Sequence, residues 1–533
     1  MERRTFFQGL LAALAAAPSL PQIAAALSDY LSALRVDLDA APDEPAYWAR
    51  VGQEFLLEPG LLHFNCGSIG ATPRPVVAAL KAYIDRLETN PYEYTWAGFP
   101  DAQISEVINK ASKFLGNTSG DLLLTRNTTE GMNLVATGLK LQSGDEILTT
   151  DHEHPGGIDC WRYLAQQHGV RVRQLHLPTP ATDKAQILRL VEEALTPQTR
   201  VCSFSHVTTT TGLQMPLREI AAITRPRGIL LVADGAQAPG MLEVGVSDLE
   251  VDAYASSSHK WMLAPKGCGL LYVRGQAQHS IRPISAYAEV GSQYGAYTGA
   301  TGTRNVPQLL AHGDTMDFHN LIGRARVAAR LRQLSAYLRQ RLTAIPRLVP
   351  LTPTDPELSS AMVAYRVEGS TAEYVYNQLK RQHMIVKLTG YNLVLPGNDI
   401  PQESVQNLRF STHLFNDETQ IDQLVDALGR MLGVSTAVET GTPSPPESFS
   451  VKANHPNPFN ASTQIEYELA QPDQVKVAVY NAQGQLVELL DQGLQTAGTH
   501  RVTWAAGGRA TGTYFYQVST HTTQQTRKML LLQ

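Results

Sequence analysis

Short apolar runs recur along residues 120–273, separated by helix-forming sequence, and this alternation leaves the chain few architectures. Leu122–Thr125, Glu146–Thr150, Val170–Leu175, Arg200–Phe204 and Ile229–Ala233 read as buried strands. Val251–Ala255 and Gly269–Val273 continue the series, and helical stretches such as Glu130–Leu139 and Leu217–Ile223 intervene. Strands alternating with helices predict a mainly parallel sheet covered on both faces, an α/β large domain. Pro75–Glu88 reads as an amphipathic helix of the same unit. Gly323–Ile345, rich in Arg and Leu, predicts a long helix leading into a smaller α+β domain over 346–434.

Lys260 lies between the last two strands of that series, directly after His259. The expected position is a sheet edge, where α/β proteins place their ligand sites. A lysine forms Schiff bases once desolvation frees its amine. Alone it is a weak sign, because most lysines are solvated surface charges. It gains weight from Asp234-Gly-Ala-Gln237, about one βα unit upstream.

The 533 residues suffice for several domains. With 17% charged residues and a formal net charge of −5, the chain carries no broad nucleic-acid footprint. Four cysteines, Cys66, Cys160, Cys202 and Cys268, are isolated in sequence, which predicts buried free thiols instead of a zinc knuckle or disulfide framework. His152 and His154 lack a third ligand at metal spacing, so no metal site is expected.

Residues 1–26 read as a signal peptide of twin-arginine type: Arg3-Arg4, then Phe6-Phe7, a short apolar run, and Ala24-Ala-Ala26 as a cleavage region. The alternative is an amphipathic N-terminal helix. The large domain with its N-terminal segment is expected over 40–345. Residues 435–448 change character, and Thr440-Gly-Thr-Pro-Ser-Pro-Pro446 reads as a linker. Beyond it, alternating strands at Thr463–Leu469, Val475–Tyr480, Gln485–Leu490, His500–Trp504 and Gly512–Ser519 predict an all-β sandwich over 449–533.

Several motifs then fall in one order: Phe64-Asn-Cys-Gly-Ser-Ile-Gly70, Thr128-Thr-Glu-Gly-Met-Asn-Leu134, Glu153-His154, Asp234–Gln237, Ser257-Ser-His-Lys260, Gly302-Thr303 and Leu408-Arg-Phe-Ser411. With them, residues from about 45 to 432 resemble the class V aminotransferase family of fold-type I pyridoxal 5'-phosphate enzymes. The likeness is strongest to its isopenicillin-N epimerase and cysteine desulfurase branch. Asn454-His-Pro-Asn-Pro-Phe-Asn460, Gly512-Thr-Tyr-Phe-Tyr516 and the tail Arg527–Leu532 resemble a type IX secretion sorting domain related to a flagellar hook-capping immunoglobulin-like fold. A carbohydrate-binding module is the rival reading of that piece.

The resemblance implies roles residue by residue. Lys260 would hold the cofactor as an internal aldimine and move the substrate Cα proton. Asp234 would pair with the pyridine nitrogen and Gln237 with the phenolic oxygen; their bland readings are a helix cap and a helix-surface residue. Thr128 and Thr129, opening a helix, would bind the phosphate with Ser257 and His259. Thr303 would reach the phosphate of a neighbouring subunit, which implies a homodimer. His154 would stack on the ring and assist proton transfer, or else be a solvated loop histidine. Arg409 would clamp the substrate α-carboxylate, with Asn65 beside it. His206 would approach the ring or be a satisfied core histidine.

One departure limits the chemistry. The desulfurase branch uses a small-domain cysteine, and Leu388–Leu395 has none. The expectation is an exported enzyme acting on a small amino acid, as an epimerase or aminotransferase. For an epimerase the second acid/base is not fixed by sequence; Tyr391 and His154 are candidates. A C–S lyase is the second reading, and a non-catalytic surface binding protein the third. The C-terminal domain would engage the secretion machinery.

Overall fold

The computed structural model describes residues 18–95, 99–282, 303–393, 403–433, 449–495, 498–521 and 523–532. The chain divides at 436/437 into two compact units.

The first unit opens with α1 (Leu20–Asp39) and α2 (Glu44–Gly52), then β1 (Leu62–His63), α3 (Arg74–Thr89) and α4 (Phe99–Phe114). In α1, Leu20, Ile23, Leu27, Leu31, Leu34 and Leu38 are buried. That spacing of three and four is one apolar stripe facing a core. The unit therefore begins well before residue 40, and the processing boundary expected at residue 26 falls inside a packed helix. The basic start at Arg3-Arg4 and Phe6-Phe7 lies outside the described residues.

The large sheet is built from β2 (Gly120–Thr125), β3 (Glu146–Thr150), β4 (Arg171–Leu175), β5 (Thr199–Ser205), β6 (Leu230–Asp234), β7 (Ala253–Ser257) and β8 (Gly269–Arg274). Their order is β2-β8-β7-β6-β5-β3-β4. Neighbours from β7 through to β4 are parallel, while β8 runs antiparallel to both β2 and β7. Between the strands lie α5 (Thr128–Gly138), α6 (Pro155–His168), α7 (Lys184–Ala194), α8 (Leu217–Thr224) and the short α9 (Val246–Leu249). Buried residues form separate cores on the two faces, one around Phe204, Leu231 and Tyr254, the other around Trp161, Val201 and Val232. This is the doubly covered sheet the alternation predicts.

Two helices leave this sheet, α10 (Val306–Ile322) and α11 (Arg324–Leu342), separated by Gly323 at φ +96°. They lead to β9 (Leu348–Pro350), β10 (Met362–Val367), α12 (Ala372–Arg381), β11 (Met384–Ile385), β12 (Lys387–Leu393), β13 (Glu403–Ser411) and α13 (Glu418–Leu432). The small sheet has the order β12-β13-β10-β9 with antiparallel neighbours. Its core, around Phe64, Leu338, Phe410 and Leu428, is distinct from both cores of the large sheet.

The second unit pairs two antiparallel sheets. One holds β14 (Ser450–Val451), β15 (Ser462–Leu469) and β18 (Gly498–Ala505); the other holds β17 (Leu486–Gln495), β16 (Asp473–Asn481), β19 (Gly512–Ser519) and β20 (Gln524–Leu531). Inward residues of both sheets share one core around Ile465, Tyr467, Val477, Trp504 and Tyr516. Alternation of buried and exposed positions, clearest in β15, gives the sandwich its two faces. The tail at Arg527–Leu532 is largely β20, paired to β19 along its length. The expected linker at 440–446 lies outside the described residues.

Candidate active site

Adjacent strands of the large sheet deliver the central residues at their C-terminal ends: β6 ends on Asp234 and β7 on Ser257. Both are interior strands, so Lys260 sits at the carboxyl end of the sheet and not on a lateral edge strand. A tight turn carries it. Ser258 N–H donates to Cys268 O at 2.9 Å, Lys260 N–H to Ser257 O at 3.2 Å, and Leu263 N–H to Lys260 O at 3.1 Å, with Leu263 at φ +62°. Neighbouring segments hold the same turn. Gly70 N–H donates to His259 O at 2.9 Å, while His413 and His319 each reach a carbonyl, Trp261 O and Met262 O, at 3.0 Å. A Cβ on Gly70 would stand 2.2 Å from Lys260 O, so only glycine permits this approach.

Burial pushes the Lys260 amine down to about 8, against the attraction of Asp234; the charges of Arg409 and Lys387 push the same way. Asp234 is buried, and its Oδ1 accepts from Ala236 N–H at 2.9 Å. Burial holds its carboxyl above the ordinary range, with Lys260 and His154 opposing. No ion pair satisfies this carboxylate among the described residues. A cationic ring nitrogen beside it would meet that demand. A Cβ on Gly157 would lie 2.4 Å from Asp234 Oδ2, so α6 can approach Asp234 only with glycine there. His154 caps that helix, Nδ1 accepting from Gly156 N–H at 3.0 Å, and burial and Lys260 keep the imidazole on the neutral side. His154 is exposed at the start of α6, while His152 is buried and bonded to Thr179.

The start of α5 adjoins the end of β7. Thr128 N–H and Oγ1 meet Ser257 Oγ at 3.0 and 2.8 Å. The helix cap is Asn127, which accepts from Glu130 N–H, so the two threonines occupy the first helical turn itself. Thr129, next in the same turn, is exposed. His259 Nδ1 donates to Cys268 O at 3.2 Å, which reserves Nε2 for another partner. A helix start with a hydroxyl pair and an imidazole beside it suits a phosphate.

Arg409, on β13, is fully buried and lacks a carboxylate partner among the described residues. Nη1 donates to Thr209 O and Oγ1 at 3.1 and 2.6 Å; Nη2 donates to Asn65 Oδ1 and Ser68 Oγ at 2.9 and 3.0 Å. Nε is buried without a partner. Burial lowers the guanidinium to about 10, an energetic demand for an anion. Gln237 is buried and not a helix-surface residue. Its Nε2 donates to Gly67 O and Thr209 Oγ1, and its Oε1 accepts from Trp261 Nε1 at 2.8 Å. Asn65, Arg409, Thr209, Gln237 and Trp261 thus form one connected network.

Other expected residues fall differently. His206 bonds to Tyr254 Oη at 2.7 Å and is held near 4 by burial, the satisfied core histidine. Thr303 is exposed and outside the cluster, and Gly302 lies outside the described residues. Tyr391 packs edge-on against His152 at 4.3 Å between centroids. Sequence reasoning missed Thr209, Ser68, Trp261 and Lys387, whose positions depend on contacts between remote segments. Glu153 was legible as part of a motif without a role. It is half-buried, accepts from Thr150 and Ser205, and desolvation pushes it up to about 7.

The Aminotransferase class-V family matches residues 69–424, and the FlgD Ig-like domain family matches 457–524. An isopenicillin N epimerase of Streptomyces clavuligerus is 32% identical over 405 residues, covering 73% of this chain and 99% of that protein. A probable cysteine desulfurase of Streptomyces coelicolor is 28% identical, covering 69% of this chain and 91% of its own. Among solved structures, the cystine C-S lyase C-DES in complex with cysteine persulfide aligns with a TM-score of 0.60 and 25% identity, covering 69% of this chain and 97% of that one. The apo cysteine desulfurase of Thermococcus onnurineus NA1 shares the fold at TM-score 0.62 and 21% identity, covering 72% and 98%.

Proposed function

The chain belongs to the class V aminotransferase family of pyridoxal 5'-phosphate enzymes, and from that premise we propose that it cleaves the Cα–H bond of a small α-amino acid. The observation that carries this reading is Arg409, a buried guanidinium without a counter-ion among the described residues, whose charge is felt at Lys260. Such a group asks for a carboxylate, and the α-carboxylate of an amino acid would present its Cα toward the lysine.

The cofactor, when bound, supplies an electron sink that acidifies the Cα–H bond of an attached amine. Thr128, Thr129, Ser257 and His259 would hold its phosphate, and Asp234 its ring nitrogen. Gln237 would face the phenolic oxygen only by giving up one of its two present acceptors. Lys260, with its amine pushed down to about 8, holds a useful neutral fraction near neutral pH and would take and return the Cα proton. Neutral His154 would lie against the ring. Thr303 would complete the phosphate site of a second subunit in a homodimer.

Epimerisation or amino transfer are the favoured outcomes, supported by the likeness to an isopenicillin N epimerase along nearly its whole length. Elimination from a cysteine conjugate is the second reading, favoured by the likeness to the C-S lyase C-DES. Persulfide transfer is disfavoured, since β12 carries no cysteine. We also propose export, with residues 449–533 acting as a secretion sorting domain. The basic and apolar residues before α1 and the separate compactness of the second unit support it.

The test incubates holoenzyme with L- and D-amino acids in deuterated water, following Cα exchange, inversion, keto acid and sulfide. Exchange at Cα is expected, and its loss in Lys260→Ala. No exchange with any amino acid would refute the proposal. Inversion without keto acid identifies an epimerase, and sulfide identifies the lyase.

A further inference from the structure

Lys387 lies directly opposite Arg409 in the antiparallel pairing of β12 with β13. Cross-strand partners place their side chains on the same face, with Cβ atoms roughly 4.5–5.5 Å apart. Like charges at such a pair are destabilising unless an anion stands between them. Neither residue has an ion pair among the described residues. Lys387 is exposed at that register position, and its ammonium is felt at Lys260 and at His154, lowering both. Its own proton is held less tightly than usual by burial and by Arg409.

Arg409 alone cannot provide an unoccupied fork. The four hydrogens on Nη1 and Nη2 are matched by Thr209 O, Thr209 Oγ1, Asn65 Oδ1 and Ser68 Oγ. Only Nε remains, buried and without a partner. From this we propose that Lys387 is a second carboxylate ligand, so that the substrate carboxylate is held between the Lys387 ammonium and the Arg409 guanidinium. The inference rests on the amino-acid reading above and extends it to a residue that no motif marks. Two cations from adjacent strands fix a carboxylate more strongly than one. They also make the site select substrates that carry this group over simple amines.

Two small cofactor reagents separate this claim from the identity of the substrate. Aminooxyacetate carries a carboxylate and methoxyamine does not, and both react at a pyridoxal Schiff base. Holoenzyme is mixed with each, and loss of the cofactor's visible band is followed. In Lys387→Met the second-order rate with aminooxyacetate should fall about tenfold or more, while the methoxyamine rate stays within about twofold. Lys387→Arg should recover most of the lost rate. Equal rates with aminooxyacetate in wild type and Lys387→Met overturn the proposal. So does an equal fall with both reagents, which would place Lys387 at the cofactor and not at the carboxylate. A wild-type protein that shows no cofactor band and reacts with neither reagent overturns the enzyme reading as well, a result distinct from the other two.

Discussion

At the scale of single residues, the site is a set of buried charges without their ordinary partners. Asp234 has no ion pair among the described residues, Arg409 has no carboxylate, and Lys260 sits where burial disfavours its proton. In the apoprotein the Lys260 amine is protonated below its pKa and nucleophilic above it. Its modification by a limiting amine-reactive reagent, read by peptide mass spectrometry, should therefore rise with pH and reach half its plateau near pH 8. A midpoint near the ordinary lysine value would show that the pocket does not desolvate it. The Gly70 contact gives a second prediction. Gly70→Ala should force the lysine turn away from the N-terminal segment and cost about 1–3 kcal/mol of stability in denaturant unfolding. An unchanged midpoint would mean the two segments are not in tight contact. Lys260, Asp234 and the Thr128–Thr129 pair were legible because their chemistry is local: a strand end, a turn, a helix start. Lys387 was not, because only strand register places it opposite Arg409.

Helices and strands show the same division. The strands of the large sheet were readable from apolar runs, and Glu146–Thr150 agrees residue for residue. The α5 helix was readable too, with the two threonines at its opening, and the capping side chain is Asn127 just before them. Asn127→Ala should cost about 1 kcal/mol and weaken cofactor retention, measured by the free cofactor needed to hold the visible band at half strength. No change in either would show that the helix start is not poised for phosphate. The α10 helix gave no amphipathic signal because its residues are buried nearly all round, including His312, Asp314, Thr315 and His319. In α1 the leucines spaced three and four apart are buried from residue 20 onward, whereas the basic start and apolar run read as a signal lie outside the described residues.

Considered as a whole molecule, the chain carries its chemistry in the first unit and a self-contained sandwich in the second. The sandwich core has no member in common with the cores of the first unit. Trp504 is fully buried there, against Phe459 and Tyr514. Trp504→Ala in the full chain should destabilise the second unit by about 3–5 kcal/mol and leave the temperature at which the cofactor band is lost unchanged. A parallel fall in both would mean that the two units unfold together. The alternating pattern made the sandwich legible, whereas β20 was read as a tail because Arg527 and Lys528 break the apolar alternation in its middle.

The account depends most on one claim, that Lys260 is the lysine that bonds the cofactor. Borohydride reduction of the holoenzyme fixes a pyridoxyl group on that lysine, and peptide mass spectrometry locates it. The account predicts the group on Lys260 of Ser257-Ser-His-Lys260 and its absence there in Lys260→Ala. Label on Lys266, Lys387 or another lysine in the wild-type protein, or on none, would contradict it.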